Sequence, residues 1–131
     1  MIWQYRKHYT REEARALLPQ IRQWLAALAE KRQIVNDSEH KMLERLSKGY
    51  DLGGQVVNDW VRTLAELKTL IDEFQQREIQ IKDLERGLID FPAFIDGEEV
   101  FLCWKKDEDD ISYWHELHSG YAGRKPIDEP S

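Results

Sequence analysis

Between residues 57 and 74 the apolar side chains Val57, Trp60, Leu64, Leu67, Ile71 and Phe74 alternate steps of three and four without interruption. A repeat averaging 3.5 residues lays one stripe along an α-helix, fits no β-strand, and suits coiled-coil-like packing against a second helix. The partner helix is upstream. Ala14, Leu17, Ile21, Trp24 and Leu28 recur at the same spacings, with Leu18 and Leu25 widening the stripe. Thr10-Arg11-Glu12-Glu13 opens that helix as a capping box, in which the Thr10 hydroxyl accepts from the Glu13 amide and the Glu13 carboxylate reaches back to the Thr10 amide. The glycine-rich GYDLGG, residues 49–54, is short enough to return the chain antiparallel. Residues 10–77 therefore read as a long helical hairpin whose seam is Leu17, Ile21, Leu28, Trp60, Leu64, Leu67 and Ile71. Pro19 lies inside the first stripe, where it removes a backbone hydrogen bond and crowds the Arg15 carbonyl, so a kink or a division is expected there. The stripe fades beyond Val35, through NDSEHK, which is either an exposed helical turn or a break.

After residue 78 the apolar period shortens to two. Extended pieces are expected at 79–82, 88–91, 100–104 and 111–115, punctuated by Pro92 and an Asp96-Gly97 turn. The last two pieces, joined by KKDEDD, form a hairpin with four consecutive acids in solvent. The aromatics Phe101, Trp104, Tyr113 and Trp114 are assigned to packing this sheet on the helices. The opening MIWQYRKHY places Trp3, Tyr5 and Tyr9 on alternate positions and reads as one more strand. Residues 128–131, DEPS, are expected to be a mobile tail. The fold class that results is α+β: a long antiparallel helical hairpin with a small antiparallel β-sheet formed mainly by the C-terminal third. All 131 residues are assigned to a single domain, with the β-rich part at 78–127.

Charge and cysteine content narrow the function classes. Residues 1–82 hold 14 Lys/Arg against 12 Asp/Glu, whereas residues 83–131 hold 5 against 13. An acidic C-terminal region repels phosphate backbones, so nucleic acid is not an expected partner. The single cysteine cannot form an internal disulfide, no signal peptide is apparent, and no apolar run is long enough to span a bilayer. With a mean hydropathy of -0.69, these features point to a cytoplasmic protein without membrane insertion.

Residues able to do chemistry crowd the C-terminal third. In Trp114-His115-Glu116-Leu117-His118, imidazole and carboxylate are ligands for a divalent transition metal, which Cys103 or His8 would join if the sheet brought them near. The spacing is not that of a zinc peptidase, whose two histidines sit four apart on one helical face. The alternative is structural, with both histidines hydrogen-bonded locally. Gly120-Tyr121-Ala122-Gly123-Arg124-Lys125 is a glycine turn ending in cations. Gly120, Gly123 and Arg124 would hold a carboxylate or phosphate through amides and guanidinium. The alternative pairs Arg124 with an acid such as Glu116 or Asp90. In either case His115, Glu116, His118 and Arg124 are expected to converge on one side of the sheet. Cys103 reads as a small buried residue with an inert thiol, since its nucleophilic use would need His115 as base and no third group is placed by sequence. The acids at 107–110 lack the glycine and distal glutamate of a calcium loop.

Taken in order, EEARALLP, KDLERGLIDFPA, LCW, YWHE and GYAGRKPI resemble a prokaryotic family catalogued as domain of unknown function 2203. The resemblance covers nearly the whole chain, is strongest at 82–127 and is weak at 34–56. It implies no activity, substrate or cofactor, and so carries no functional residue over. The residues themselves support a non-catalytic interaction or scaffold module, self-associating as a homodimer or docking another protein through its helical face, because a two-helix hairpin leaves apolar surface uncovered. The alternative is a metal- or anion-binding protein with its site at His115, Glu116, His118, Cys103 and Arg124, hydrolytic chemistry being what such a site could support.

Overall fold

The computed structural model describes residues 2–50 and 53–127. Helices α1 (Arg11–Ser47) and α2 (Gln55–Gln76) are followed by strands β1 (Gln80–Asp83), β2 (Leu88–Ile95), β3 (Glu98–Lys105), β4 (Tyr113–Glu116) and β5 (Lys125–Pro126), with a 3-10 turn at Tyr121–Gly123. The strands form one antiparallel sheet in the order β1-β2-β3-β4-β5, each pairing with its sequence neighbour. The fold is α+β. No helix among the described residues is long and apolar enough to cross a membrane. The tail at 128–131 lies outside the described residues. The chain divides into two compact units: residues up to Gln23 together with those from Phe74 onward, and Trp24–Glu73.

The helical unit contains the rest of α1 and most of α2. Lys31 Nζ lies 2.7 Å from Glu66 Oε2, and Trp60 Nε1 donates to Glu39 Oε2 at 3.2 Å, which fixes the two helices antiparallel. The residues 36–41 are helical, and apart from Ser38 they are exposed, so the fading stripe is a solvated stretch and not a break. The seam of α2 differs from the expected one. Leu64 and Ile71 are exposed, whereas Thr63 is buried and Val56, Trp60, Leu67 and Leu70 are half-buried. The buried stripe thus keeps Trp60 and Leu67 but turns by one residue elsewhere. Thr63 can occupy it because its hydroxyl donates to the Asp59 carbonyl of its own helix at 2.8 Å, leaving a valine-like shape to pack.

In the sheet unit the capping box forms as expected, with Glu13 N donating to Thr10 Oγ1 at 3.1 Å and Thr10 N to Glu13 Oε1 at 2.9 Å. The helix then runs undivided through Pro19. Both Pro19 and Arg15 are exposed, so water can serve the carbonyl that the missing amide leaves. Arg11, Arg15 and Arg22 reach the segment between β3 and β4. Arg15 forms a two-point pair with Asp110 at 2.8 and 3.0 Å, Arg11 donates to the Ile111 carbonyl at 2.7 Å, and Arg22 donates to the carbonyls of Lys106 and Glu108. The expected solvated acidic turn is therefore in part an anchor.

Strand β2 continues through Pro92, past the expected end at Phe91. Its pairing with β1 stops at Asp90, so the missing amide of Pro92 falls on an open edge, where its carbonyl accepts from Tyr9 N at 2.7 Å. Asp96 and Gly97, with φ of 52° and 80°, make the tight turn into β3. Residues 2–9 are not a strand. Their amides go to carboxylates, Gln4 and Tyr5 to Glu99 and Arg6 and Lys7 to Glu78, at 2.7 to 2.9 Å, which removes them from any ladder. Nor do the aromatics share a side: Trp3 meets Phe94 and Tyr5 meets Phe101, while Tyr9 meets Phe91, which points to the opposite face.

Candidate functional site

Strand alternation gives the sheet two unlike faces. Ile89, Phe91, Ala93, Val100, Leu102 and Trp104 line one and are all buried, as are Ala14, Leu18 and Ile21 of α1. The register pairs Asp90 with Cys103, Pro92 with Phe101, Phe101 with His115 and Cys103 with Tyr113, which sets Asp90, Cys103 and His115 on the other face of three adjacent strands. That face is covered as well. Asp90 and His115 are 1% exposed and Cys103 is fully buried.

Their ligand-capable atoms all lie within 4.8 Å of one another. Asp90 Oδ2 is 2.9 Å from His115 Nε2, and His115 Nδ1 is 2.7 Å from the Glu116 carbonyl oxygen. A carbonyl only accepts, so Nδ1 carries a proton and donates. Burial on its own pulls the His115 imidazolium down, but the Asp90 carboxylate and the Glu116 carbonyl outweigh it and hold the group above its ordinary value. The Cys103 thiol is pushed up to about 12, first by burial and then by the negative charge of Asp90, with Arg124 opposing. Asp90 Oδ1 is buried without a well-aligned hydrogen bond, and the only other donor facing the Asp90 carboxylate is the weak one of the Cys103 thiol.

Of the residues singled out from sequence, the structure brings His115 and Cys103 together and adds Asp90. Glu116 and His118 lie elsewhere. Glu116 follows His115 on β4, so it points to the opposite face, where it is exposed and pairs with Lys125 at 3.6 Å. His118 is exposed in the turn that follows. The expected convergence of His115, Glu116, His118 and Arg124 fails for this reason: a strand cannot aim consecutive side chains to one side. His8 is also elsewhere, bonded to Glu99 at 2.8 Å and stacked on Phe94.

Arg124 sits beside the cluster. Its guanidinium carbon lies 3.9 Å from the Tyr113 ring centre and 4.6 Å from that of Tyr121, and Nη2 donates to Glu108 Oε1 at 2.9 Å and to the Cys103 carbonyl at 3.4 Å. Its acid is thus Glu108, and neither Glu116 nor Asp90. Glu108 is available because its carboxylate also accepts the Lys105 amide at 2.9 Å, which folds the acidic segment back on β3. In the glycine turn, the Gly123 and Arg124 amides are taken up by the carbonyls of Gly120 and Tyr121. Gly120 has a φ of 69°, while Gly123 is needed for space, since a Cβ there would stand 2.9 Å from the Ser119 side chain.

Spacing could not have found Asp90, which lies 25 residues from His115. One signal did exist. Asp90 is the lone charge inside the otherwise apolar run Leu88 to Ala93, LIDFPA, and a charge within a doubly buried strand needs a partner.

The chain belongs to the family described as an uncharacterized conserved protein (DUF2203), whose profile matches residues 7–127. No curated protein and no solved structure gives a significant match.

Proposed function

We propose that the protein is an interaction module that associates with a second copy of itself through its helical unit. The observation that carries this reading is a second apolar seam on α2: Val61, Leu64 and Ile71 are exposed, at 53, 37 and 39%, and with the half-buried Val57 and the intervening Lys68 they keep the alternation of four and three. One seam of α2 packs within the unit, and the other has the period that a neighbouring helix would match. Ile34, Leu43 and Leu46 are exposed in the same unit. Apolar groups in such number mark contact surfaces. Charge favours an identical copy as occupant. Residues 24–73 hold 7 Lys/Arg and 9 Asp/Glu, so two helical units meet without strong repulsion. A two-fold contact would place like seams side by side and complete a four-helix arrangement.

Sedimentation equilibrium over a range of concentrations tests this. The wild type is expected at twice 15.6 kDa and the Leu64→Glu/Ile71→Glu double variant at 15.6 kDa. A wild type that stays at the single-chain mass throughout contradicts it.

A further inference from the structure

We propose that Asp90, Cys103 and His115 bind one divalent transition metal ion of the zinc class, through the Asp90 carboxylate, the Cys103 sulfur and His115 Nε2. The inference is independent of self-association, since it rests on a different unit and on different residues.

Three observations carry it. The first is the arrangement of His115: its Nδ1 is committed to the Glu116 carbonyl, so Nε2 faces Asp90 Oδ2 at 2.9 Å. Two lone pairs cannot face each other at that distance, and a cation must lie between them. A proton is one answer. A metal ion is the other, and a ligating histidine fixed by a backbone carbonyl through its second nitrogen is the usual supporting arrangement in metal sites. The second observation separates the two. Asp90 Oδ1 is buried without a hydrogen bond, one of two such side-chain atoms among the described residues. A proton shared by Oδ2 and Nε2 does nothing for Oδ1, and the Cys103 thiol, the other donor facing Asp90, offers only a weak S–H bond, whereas a metal bound by the carboxylate neutralises both oxygens. The third is Cys103, whose ligand-capable sulfur stands within 4.8 Å of the other two donors while its backbone carbonyl is held by Arg124.

The chemistry of the donor set selects the metal. One sulfur, one imidazole and one carboxylate suit zinc, or cobalt(II) in its place, and not magnesium or calcium, which take oxygen ligands. Bond lengths of about 2.0 to 2.3 Å around a tetrahedral ion put donors roughly 3.5 Å apart, so Asp90 Oδ2 and His115 Nε2, now 2.9 Å apart, would open slightly as the ion replaces the proton, in a cluster whose three donors already lie within 4.8 Å of one another. Carboxylate and thiolate together balance the two positive charges, which suits a buried site. Binding forms metal–sulfur, metal–nitrogen and metal–oxygen bonds in place of three of the ion's bonds to water, and releases to solvent the thiol proton and the proton held between His115 and Asp90, while His115 Nδ1 keeps its own.

The test uses the full chain, freed of metal by chelation, checked by elemental analysis and shown to be folded by circular dichroism, then titrated with cobalt(II). Expected are one equivalent bound, a thiolate-to-cobalt charge-transfer band in the near ultraviolet, the strong visible bands of tetrahedral cobalt, and acidification of a weakly buffered solution. Cys103→Ser should abolish the charge-transfer band. Glu116→Ala/His118→Ala, at two exposed positions, should retain it. Should Cys103→Ser fail to fold, the wild-type spectrum and the Glu116/His118 variant still decide. A folded, metal-free wild type that shows no charge-transfer band overturns the proposal, as does a band lost in the Glu116→Ala/His118→Ala variant.

Discussion

In the sheet unit Asp90 and His115 are each 1% exposed, whereas in the helical unit Leu43, Leu46 and Val61 are 66, 54 and 53% exposed. Each unit departs from the ordinary partition of polar and apolar groups, in opposite directions. The sheet unit buries both faces: Ala14, Leu18 and Ile21 of α1 are buried along with the apolar residues of one, and Trp3, Tyr5 and the aromatic and arginine side chains near Tyr121 lie on the side of the other. Polar groups caught inside must then satisfy one another, and they specify their neighbours closely. The helical unit has a single apolar seam engaged and another left over. Its tolerance of substitution should be high wherever that second seam is concerned, until a second copy is present.

The largest effect is expected where the sheet unit is densest. Trp104 is fully buried, carries Arg22 over its ring at 4.9 Å and donates its Nε1 to the Glu108 carbonyl at 2.9 Å. Trp104→Ala should cost about 3–5 kcal/mol in urea denaturation. A cost below about 1 kcal/mol, the centre of the range for arbitrary substitutions, would remove the contrast between the units. Leu67, half-buried on the engaged seam of α2, comes next. Leu67→Ala should lose about 2 kcal/mol, the lower end for leucine truncations.

A smaller and pH-dependent effect is expected at Glu99. Burial raises its pKa, but the bonds from His8 and from the Gln4 and Tyr5 amides outweigh burial and leave it lowered. The sign follows from linkage. A group whose folded value is depressed contributes stability above its unfolded value, here near 4.5, and loses it as pH falls through the lowered value. Stability measured from pH 6 to pH 3 (roughly the carboxylate window) should therefore fall less steeply in Glu99→Gln than in the wild type. Equal slopes would detach Glu99 from the docking of residues 3–9. The smallest effect belongs to the unengaged seam, where Leu64→Ala should change the stability of the dilute chain by no more than about 0.5 kcal/mol. If it matches Leu67→Ala, the two seams have been assigned the wrong way round.

What the sequence made legible was local. The Thr10/Glu13 capping box, the Asp96-Gly97 turn, the helix at 55–76 and the strands around Cys103 and His115 each depend on residues a few positions apart, and each is present. The seam of α2 was misread at two positions because a periodicity count treats Thr63 as polar, while in the helix its hydroxyl is satisfied internally. Residues 2–9 alternate like a strand, but their amides meet the carboxylates of Glu78 and Glu99 from distant parts of the chain. The candidate site was half legible. His115 and Cys103 drew notice by residue type, Glu116 and His118 only by adjacency to them, and Asp90 is joined to the pair by register across β3, which no spacing expresses.

The most direct test of the central claim, that the second seam of α2 receives a second copy, is cross-linking at Val61. Cys103 is fully buried with its thiol pushed up to about 12, so a cysteine introduced by Val61→Cys is the reactive one. A short thiol-to-thiol cross-linker applied to the native protein should join two chains into a species of twice 15.6 kDa, while Gln20→Cys, at an exposed position of the sheet unit, should not. Equal yields from the two positions, or no linked species from Val61→Cys at concentrations where the wild type would have to be paired, would contradict the account.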